Sequence, residues 1–257
     1  MINPMDLTGS TVLVTGASSG IGRETAIFLS SLGASLILVA RDQARLDATH
    51  AALAPGRHFV FPFDLEQHEQ TVGWMASVAE TTGPIRSLVH CAGIAMTKAI
   101  RFMEVEEMQK ILSVNLLSAL VLAKAFRSRQ VRAQPSASLV FVSSTAASVG
   151  YPGWAAYSAS KAGLEGLTRS LAHELSREKI RVNAVCPGWV STQMTDGVSS
   201  VLSEEQLAAI RNSYMLWPGT PLDVACAIAY LVAETGRWVT GTTMMVDGGS
   251  SVRGGSQ

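Results

Sequence analysis

The sequence predicts an α/β fold built on one doubly wound, parallel, seven-stranded sheet with helices on both faces. Three observations carry this. Short β-branched or apolar runs alternate with helix-period segments along most of the 257 residues. The segments between runs are about a dozen residues or longer, as right-handed crossovers between parallel strands require. The first run ends in a glycine-rich loop that opens onto a helix, the context in which a backbone cradles a diphosphate. No internal repeat and no Pro/Gly/Ser-rich linker divides the chain, so residues 1–257 read as a single domain.

The elements follow in order. Thr11–Thr15 is a strand, and Gly16-Ala17-Ser18-Ser19-Gly20-Ile21-Gly22 is the loop after it. Ile21, Thr25, Phe28, Leu29 and Leu32 then repeat at helical spacing until Gly33. Ser35–Ala40 is the second strand. Arg41 follows it, with Arg45 a turn further on. An acidic residue at this strand end would hold the ribose of NAD, whereas an arginine accommodates the 2′-phosphate of NADP(H), so the sequence favours NADP(H). Phe59–Phe63 is the third strand, followed by Asp64-Leu65 and a helix over Glu66–Thr82. Arg86–His90 is the fourth, closed by Cys91-Ala92-Gly93. A long helix over Val105–Gln130 carries the polar Asn115 among leucines. Ser138–Val142 is the fifth strand and ends at Ser143-Ser144. A helix over Gly153–Glu178 comes next, then Ile180–Val185 before Cys186-Pro187-Gly188, and finally Thr242–Val246. Ser191–Thr220 breaks the rhythm and contains its own helix, Glu204–Ser213. Placed at the carboxyl ends of the strands, it reads as a substrate lid.

Composition narrows the function. Hydrophobic residues make up 47% and charged residues 16%, and 20 basic side chains balance 20 acidic ones, so no whole-chain field attracts nucleic acid or an anionic membrane. No apolar stretch is expected to reach the length of a membrane span. Cys91, Cys186 and Cys226 are scattered, without metal-type spacing. They read as reduced thiols, and with no basic and apolar leader at the N-terminus the expectation is a cytoplasmic protein with no metal.

The chemistry centres on Tyr157 and Lys161. Four residues apart, they stack on one helix face and bring an ammonium near a phenol. A neighbouring positive charge lowers a phenol pKa, so this tyrosine is expected to exchange a proton near neutral pH.

Together these residues resemble the short-chain dehydrogenase/reductase family, over Leu7 to Gly249. Thr15 to Gly22 matches its cofactor loop, Tyr157-x-x-x-Lys161 its catalytic pair, Ser144 its catalytic serine and Asn115 its catalytic asparagine. The resemblance implies a Rossmann-type fold and a Ser-Tyr-Lys-Asn site that moves hydride between NADP(H) and a carbonyl or alcohol. It implies cofactor contacts at Gly16, Ser18, Ser19, Gly20, Ile21, Gly22, Arg41, Asp64, Leu65, Ala92, Gly93, Tyr157, Lys161, Pro187, Gly188, Val190 and Thr192. It also implies that Ser144 holds the substrate oxygen beside Tyr157, and that Lys161 binds the nicotinamide ribose. Asn115 would bend its helix and support a proton relay.

Three departures stand out. His90 replaces an asparagine and reads as structural. Trp154 is bulky where relatives carry polar residues; it narrows the substrate mouth, stacks on a ring or packs against the lid. Ser18-Ser19 lacks the extra arginine of many NADP-dependent members. The C-terminal half looks most like the 3-oxoacyl-acyl-carrier-protein reductase branch, which implies an acidic carrier protein as partner. Arg127, Arg129, Arg132 and Arg177 are the candidate contacts, although Pro135 and Glu178 stand where that branch has its arginines. A sugar-, steroid- or polyol-like ketone is the alternative substrate, and a non-catalytic NADP(H) sensor the alternative class. Surplus apolar positions on the two long helices, with Ala229, Leu231, Val232, Trp238 and the end of the last strand, suggest a homotetramer.

Overall fold

The computed structural model describes residues 3–195 and 203–252. Part of the expected lid, 196–202, and the tail, 253–257, lie outside the described residues. Seven parallel strands form one sheet in the order β3-β2-β1-β4-β5-β6-β7: β1 Thr11–Thr15, β2 Ser35–Ala40, β3 Phe59–Pro62, β4 Ser87–His90, β5 Ala137–Val142, β6 Ile180–Pro187 and β7 Thr243–Val246. The order reverses between β1 and β4, so the loops leaving these strands diverge and open a crevice at their carboxyl ends.

Alternation along each strand divides the core between two faces. On β1, Leu13 points to one cluster and Val12 and Val14 to the other. Three helices cover the first face: α3 (His68–Thr82), α5 (Ser118–Phe126) and α6 (Ala155–Glu174). The second is covered by α1 (Gly20–Ser31) and α8 (Pro221–Val232), with Leu46 of α2 (Gln43–His50) joining its cluster. Strands β1, β4 and β5 are buried almost throughout, which is why they read as continuous apolar runs.

Some expectations are corrected. Helix α2 is not evident from periodicity, because its only buried residues are Leu46 and Thr49. The long helix ends at Phe126 and is interrupted. α4 (Val105–Leu112) leads through a π-helical segment, Ser113–Leu117, into α5. Helix α6 stops at Glu174, and Lys179 turns left-handed (φ 58°) after a short 3₁₀ turn. Contrary to expectation, Val105–Phe126 is long and apolar enough to span a membrane by length and composition; 44% of its most apolar window is buried within the chain.

The expected second assembly contact is also revised. Ala229, Leu231 and Val232 are buried inside the subunit, leaving Trp238 (95% exposed) and Met245 (42%) at that surface. In the lid, α7 (Glu204–Asn212) is present, and a parallel bridge between Val190 and Gly219 ties its two ends together.

Candidate active site

The glycine loop is shaped by close approach. Gly16 has φ +67°, and a Cβ there would lie 2.8 Å from the Ala92 nitrogen. A Cβ on Gly22 would lie 2.3 Å from the Gly16 carbonyl oxygen, so neither position admits a side chain. No side chain caps Ser19 at the start of α1, which leaves its first amides facing the crevice. That is the chemistry of a diphosphate cradle.

The cleft above the loop holds about 920 Å³. Gly16, Ser18, Ser19, Gly20, Ile21, Gly22, Arg41, Asp64, Leu65, Ala92, Gly93 and Thr192 all line it, so twelve of the expected cofactor contacts share one cavity. Tyr157, Lys161, Pro187, Gly188 and Val190 do not. Val190 is buried in the core, and its neighbour Gly188 packs against Tyr214 and Asp247. Gln193 and Met194 also line the cleft, and no sequence pattern singles them out.

At the adenosine end Arg41 is exposed, as expected, but it is not free of acid. Asp42 lines the same wall, its carboxylate accepting the Arg45 amide at 3.1 Å as the N-cap of α2. The Arg45 guanidinium reaches across the cleft to donate to the Gln193 side chain. An aspartate three residues before Arg45 is the cap signal that reveals α2 in the sequence.

At the other end the groups are buried. Asn115 sits in the π-helical segment, where its carboxamide accepts from the Ile94 amide (2.8 Å) and donates to the Ile94 carbonyl (2.9 Å) and to Ser160 Oγ (3.0 Å). Ser160 in turn donates to the Tyr157 carbonyl at 2.6 Å. This tether from the β4 loop to the catalytic helix uses a serine that the sequence did not single out. Lys161 Nζ donates to the Val142 carbonyl at 2.8 Å and lies 5.5 Å from the Tyr157 ring centroid. Gly93 connects this cluster to the cleft, since a Cβ there would be 3.4 Å from Lys161 Nζ. Ser144, at the end of β5, accepts from the Ala146 amide at 3.2 Å.

The electrostatics differ from the sequence expectation. Burial pushes the Tyr157 phenol up to about 12, and a hydrogen bond with Ser144 only partly opposes it. The Lys161 ammonium, 5.5 Å from the ring centroid, does not reverse this, and burial pushes Lys161 itself down to about 8. Desolvation wins over the neighbouring charge, so at neutral pH the phenol holds its proton.

His90 is buried and held neutral, pushed down to about 3 by burial and by Lys161. The Ala92 amide donates to Thr15 Oγ1 (3.2 Å), whose hydroxyl lies 2.9 Å from His90 Nδ1. His90 Nε2 lies 3.4 Å from Ser118 Oγ, which donates to the Val114 carbonyl. This network assigns the ring proton to Nε2 and ties β1 and β4 to the π-helical segment.

A glycine cradle at a topological switch point, beside Ser144 and the buried Tyr157 and Lys161, defines a nicotinamide-dependent oxidoreductase. Residues 16–251 match the family model described as Enoyl-(Acyl carrier protein) reductase. The chain is 35% identical over 247 residues to the 3-oxoacyl-[acyl-carrier-protein] reductase FabG of Rickettsia prowazekii, covering 95% of this chain and 98% of that one. It is 32% identical to the (3R)-3-hydroxyacyl-CoA dehydrogenase of Mus musculus, covering 97% and 99% respectively. A Beutenbergia cavernae structure that holds NADP at low occupancy superposes with a TM-score of 0.89 at 30% identity, covering 97% of this chain and 100% of that one. The chain belongs to the short-chain dehydrogenase/reductase family and is an oxidoreductase acting on carbonyl or alcohol groups.

Proposed function

We propose that the protein uses NADP(H) to reduce a ketone to a secondary alcohol. The observation that carries this reading is the buried Tyr157 with Lys161 Nζ 5.5 Å from its ring, joined to the glycine-lined cleft through Gly93, where a Cβ would be 3.4 Å from that Nζ. The Gly16–Gly22 backbone would hold the diphosphate, Arg41 the 2′-phosphate, Asp64 and Leu65 the adenine edge and Lys161 the nicotinamide ribose. The segment Pro187–Thr192 would receive the carboxamide. Bound there, the cofactor supplies the hydride. Ser144 holds the substrate oxygen by a hydrogen bond, and Tyr157 Oη gives that oxygen its proton as the C=O π bond breaks and the C–H bond forms. With its pKa raised by burial, the phenol enters this reaction carrying the proton that reduction consumes.

Two substrate classes are supported by different observations. The names of the relatives favour a 3-oxoacyl thioester, on CoA or on an acyl-carrier protein. Against the carrier, Arg132 is buried (2% exposed), and both Arg127 (2.5 Å) and Arg132 (3.4 Å) pair with Glu178, leaving Arg129 and Arg177 of the basic candidates. That pairing favours a ketone without a carrier. The same reading takes the protein as a cytoplasmic homotetramer, with the exposed Leu112, Leu117 and Leu120 in one contact and Trp238 and Met245 in the other.

The test is NADPH oxidation with acetoacetyl-CoA and with a small diketone. Turnover of either is expected, faster than with NADH. Tight NADPH binding without turnover of any carbonyl would instead favour a sensor.

A further inference from the structure

Aromatic side chains are concentrated above the catalytic phenol. Tyr151, Trp154 and Tyr157 form a run of edge-on ring contacts there, and Tyr214 stands near Tyr151. Trp154 stands edge-on to Tyr157, with centroids 5.0 Å apart and planes at 83°. Tyr151 continues the wall at 6.5 Å from Trp154 and is 45% exposed. Tyr214 lies within electrostatic reach of Tyr151 and is fixed by the Trp189 amide donating to its hydroxyl.

Among the described residues, two charged groups near this rim, Lys98 and Asp247, already have partners. The Lys98 amide donates to the Gly153 carbonyl (3.0 Å), which brings that residue to the mouth, but its ammonium is held by both Glu107 oxygens at 2.7 and 2.8 Å. Asp247 accepts from the amides of Gly249 (3.1 Å) and Ser251 (2.8 Å). Among the described residues, a group flanking the substrate carbonyl therefore meets aromatic surface and charges that already have partners. Such a surface rewards a flat or ring-shaped apolar group, which keeps its shape on binding, over a flexible chain that loses rotamers.

We propose that Trp154, with Tyr151, is the specificity-determining wall for an uncharged ring attached to the ketone carbon of the substrate. The proposal rests on the reductase reading above. Trp154 acts on how the substrate is held and takes no part in the proton transfer.

A matched pair of 3-oxo esters tests it: ethyl 3-cyclohexyl-3-oxopropanoate and ethyl 3-oxohexanoate, with NADPH. The wild type is expected to prefer the ring ester in kcat/KM by at least tenfold. Trp154→Ala should reduce kcat/KM for the ring ester at least ten times more than for the chain ester, chiefly through KM, and Trp154→Phe should recover most of the loss. If Trp154→Ala does not fold, Trp154→Leu keeps apolar volume without a ring and serves the same comparison. Equal losses on both esters, a loss confined to kcat, or a wild-type preference for the chain ester would overturn the proposal and leave the reductase standing. Turnover of neither ester, nor of any other carbonyl, would overturn both.

Discussion

The two ends of the cleft are built on opposite principles. At the adenosine end Arg41, Asp42 and Arg45 are exposed and meet solvent. At the catalytic end Asn115, Tyr157 and Lys161 are buried, with His90 behind them, and burial pushes the phenol up to about 12, the ammonium down to about 8 and the imidazole down to about 3. The contrast teaches where selectivity is cheap to alter and where it is not. An exposed guanidinium recognises a phosphate through a local charge-assisted contact that one substitution removes. A buried phenol, ammonium and imidazole share one environment, so changing one changes the others.

The largest expected effect is at the buried end. Tyr157→Phe removes the proton donor with almost no change of volume, and kcat should fall by about 10²–10⁴. Fluorescence titration should find NADPH affinity within about threefold of wild type, whereas Lys161→Ala should weaken binding as well. Retention of more than about a tenth of kcat by Tyr157→Phe would remove the distinction between the two ends.

Next comes the exposed end. Arg41→Ala loses a charge-assisted hydrogen bond worth about 1.5–3 kcal/mol, so kcat/KM for NADPH should fall by about 10- to 100-fold. The value for NADH should stay within about twofold, because the proposed role of Arg41 is confined to the 2′-phosphate, which NADH lacks. Parallel losses with both cofactors would mean that Arg41 supports the fold of the loop and does not read the phosphate.

A smaller effect belongs to His90 and appears in stability. Its folded pKa is depressed to about 3 from an ordinary value of 6.5, so the unfolded chain binds its proton first. Stability from this group is complete above pH 6.5 and is lost as pH falls from there towards 3. Well below 6.5 the slope approaches about 1.4 kcal/mol per pH unit for one proton. Urea melts between pH 7 and 5 should show this loss in the wild type, and His90→Asn should flatten it. An unchanged slope in that variant would place the acid sensitivity elsewhere.

Much of this was legible in the sequence, for physical reasons that differ by region. The central strands could be read because burial on both faces leaves unbroken apolar runs such as Leu36-Ile37-Leu38-Val39. Tyr157 and Lys161 could be singled out because a four-residue spacing stacks them on one helix face, whereas Asn115 and Ser144 were singled out only through the family resemblance. Helix α2 escaped because an exposed helix with two buried residues has no periodicity to detect, although Asp42 marked its start. The raised phenol escaped for a different reason. Tyr157 and Lys161 announce a charge beside a phenol, but how deeply both are buried is settled by β4, β5 and the π-helical segment, far away along the chain.

Burial against charge at Tyr157 is therefore the point to measure. Alkaline difference spectroscopy of the cofactor-free protein, wild type minus Tyr157→Phe, isolates the phenolate signal of this one residue. The account predicts no Tyr157 phenolate signal below pH 10, consistent with a pKa pushed up to about 12. A Tyr157 phenolate signal with a midpoint below pH 9 would contradict it, and would mean that Lys161 governs the site in spite of its own burial.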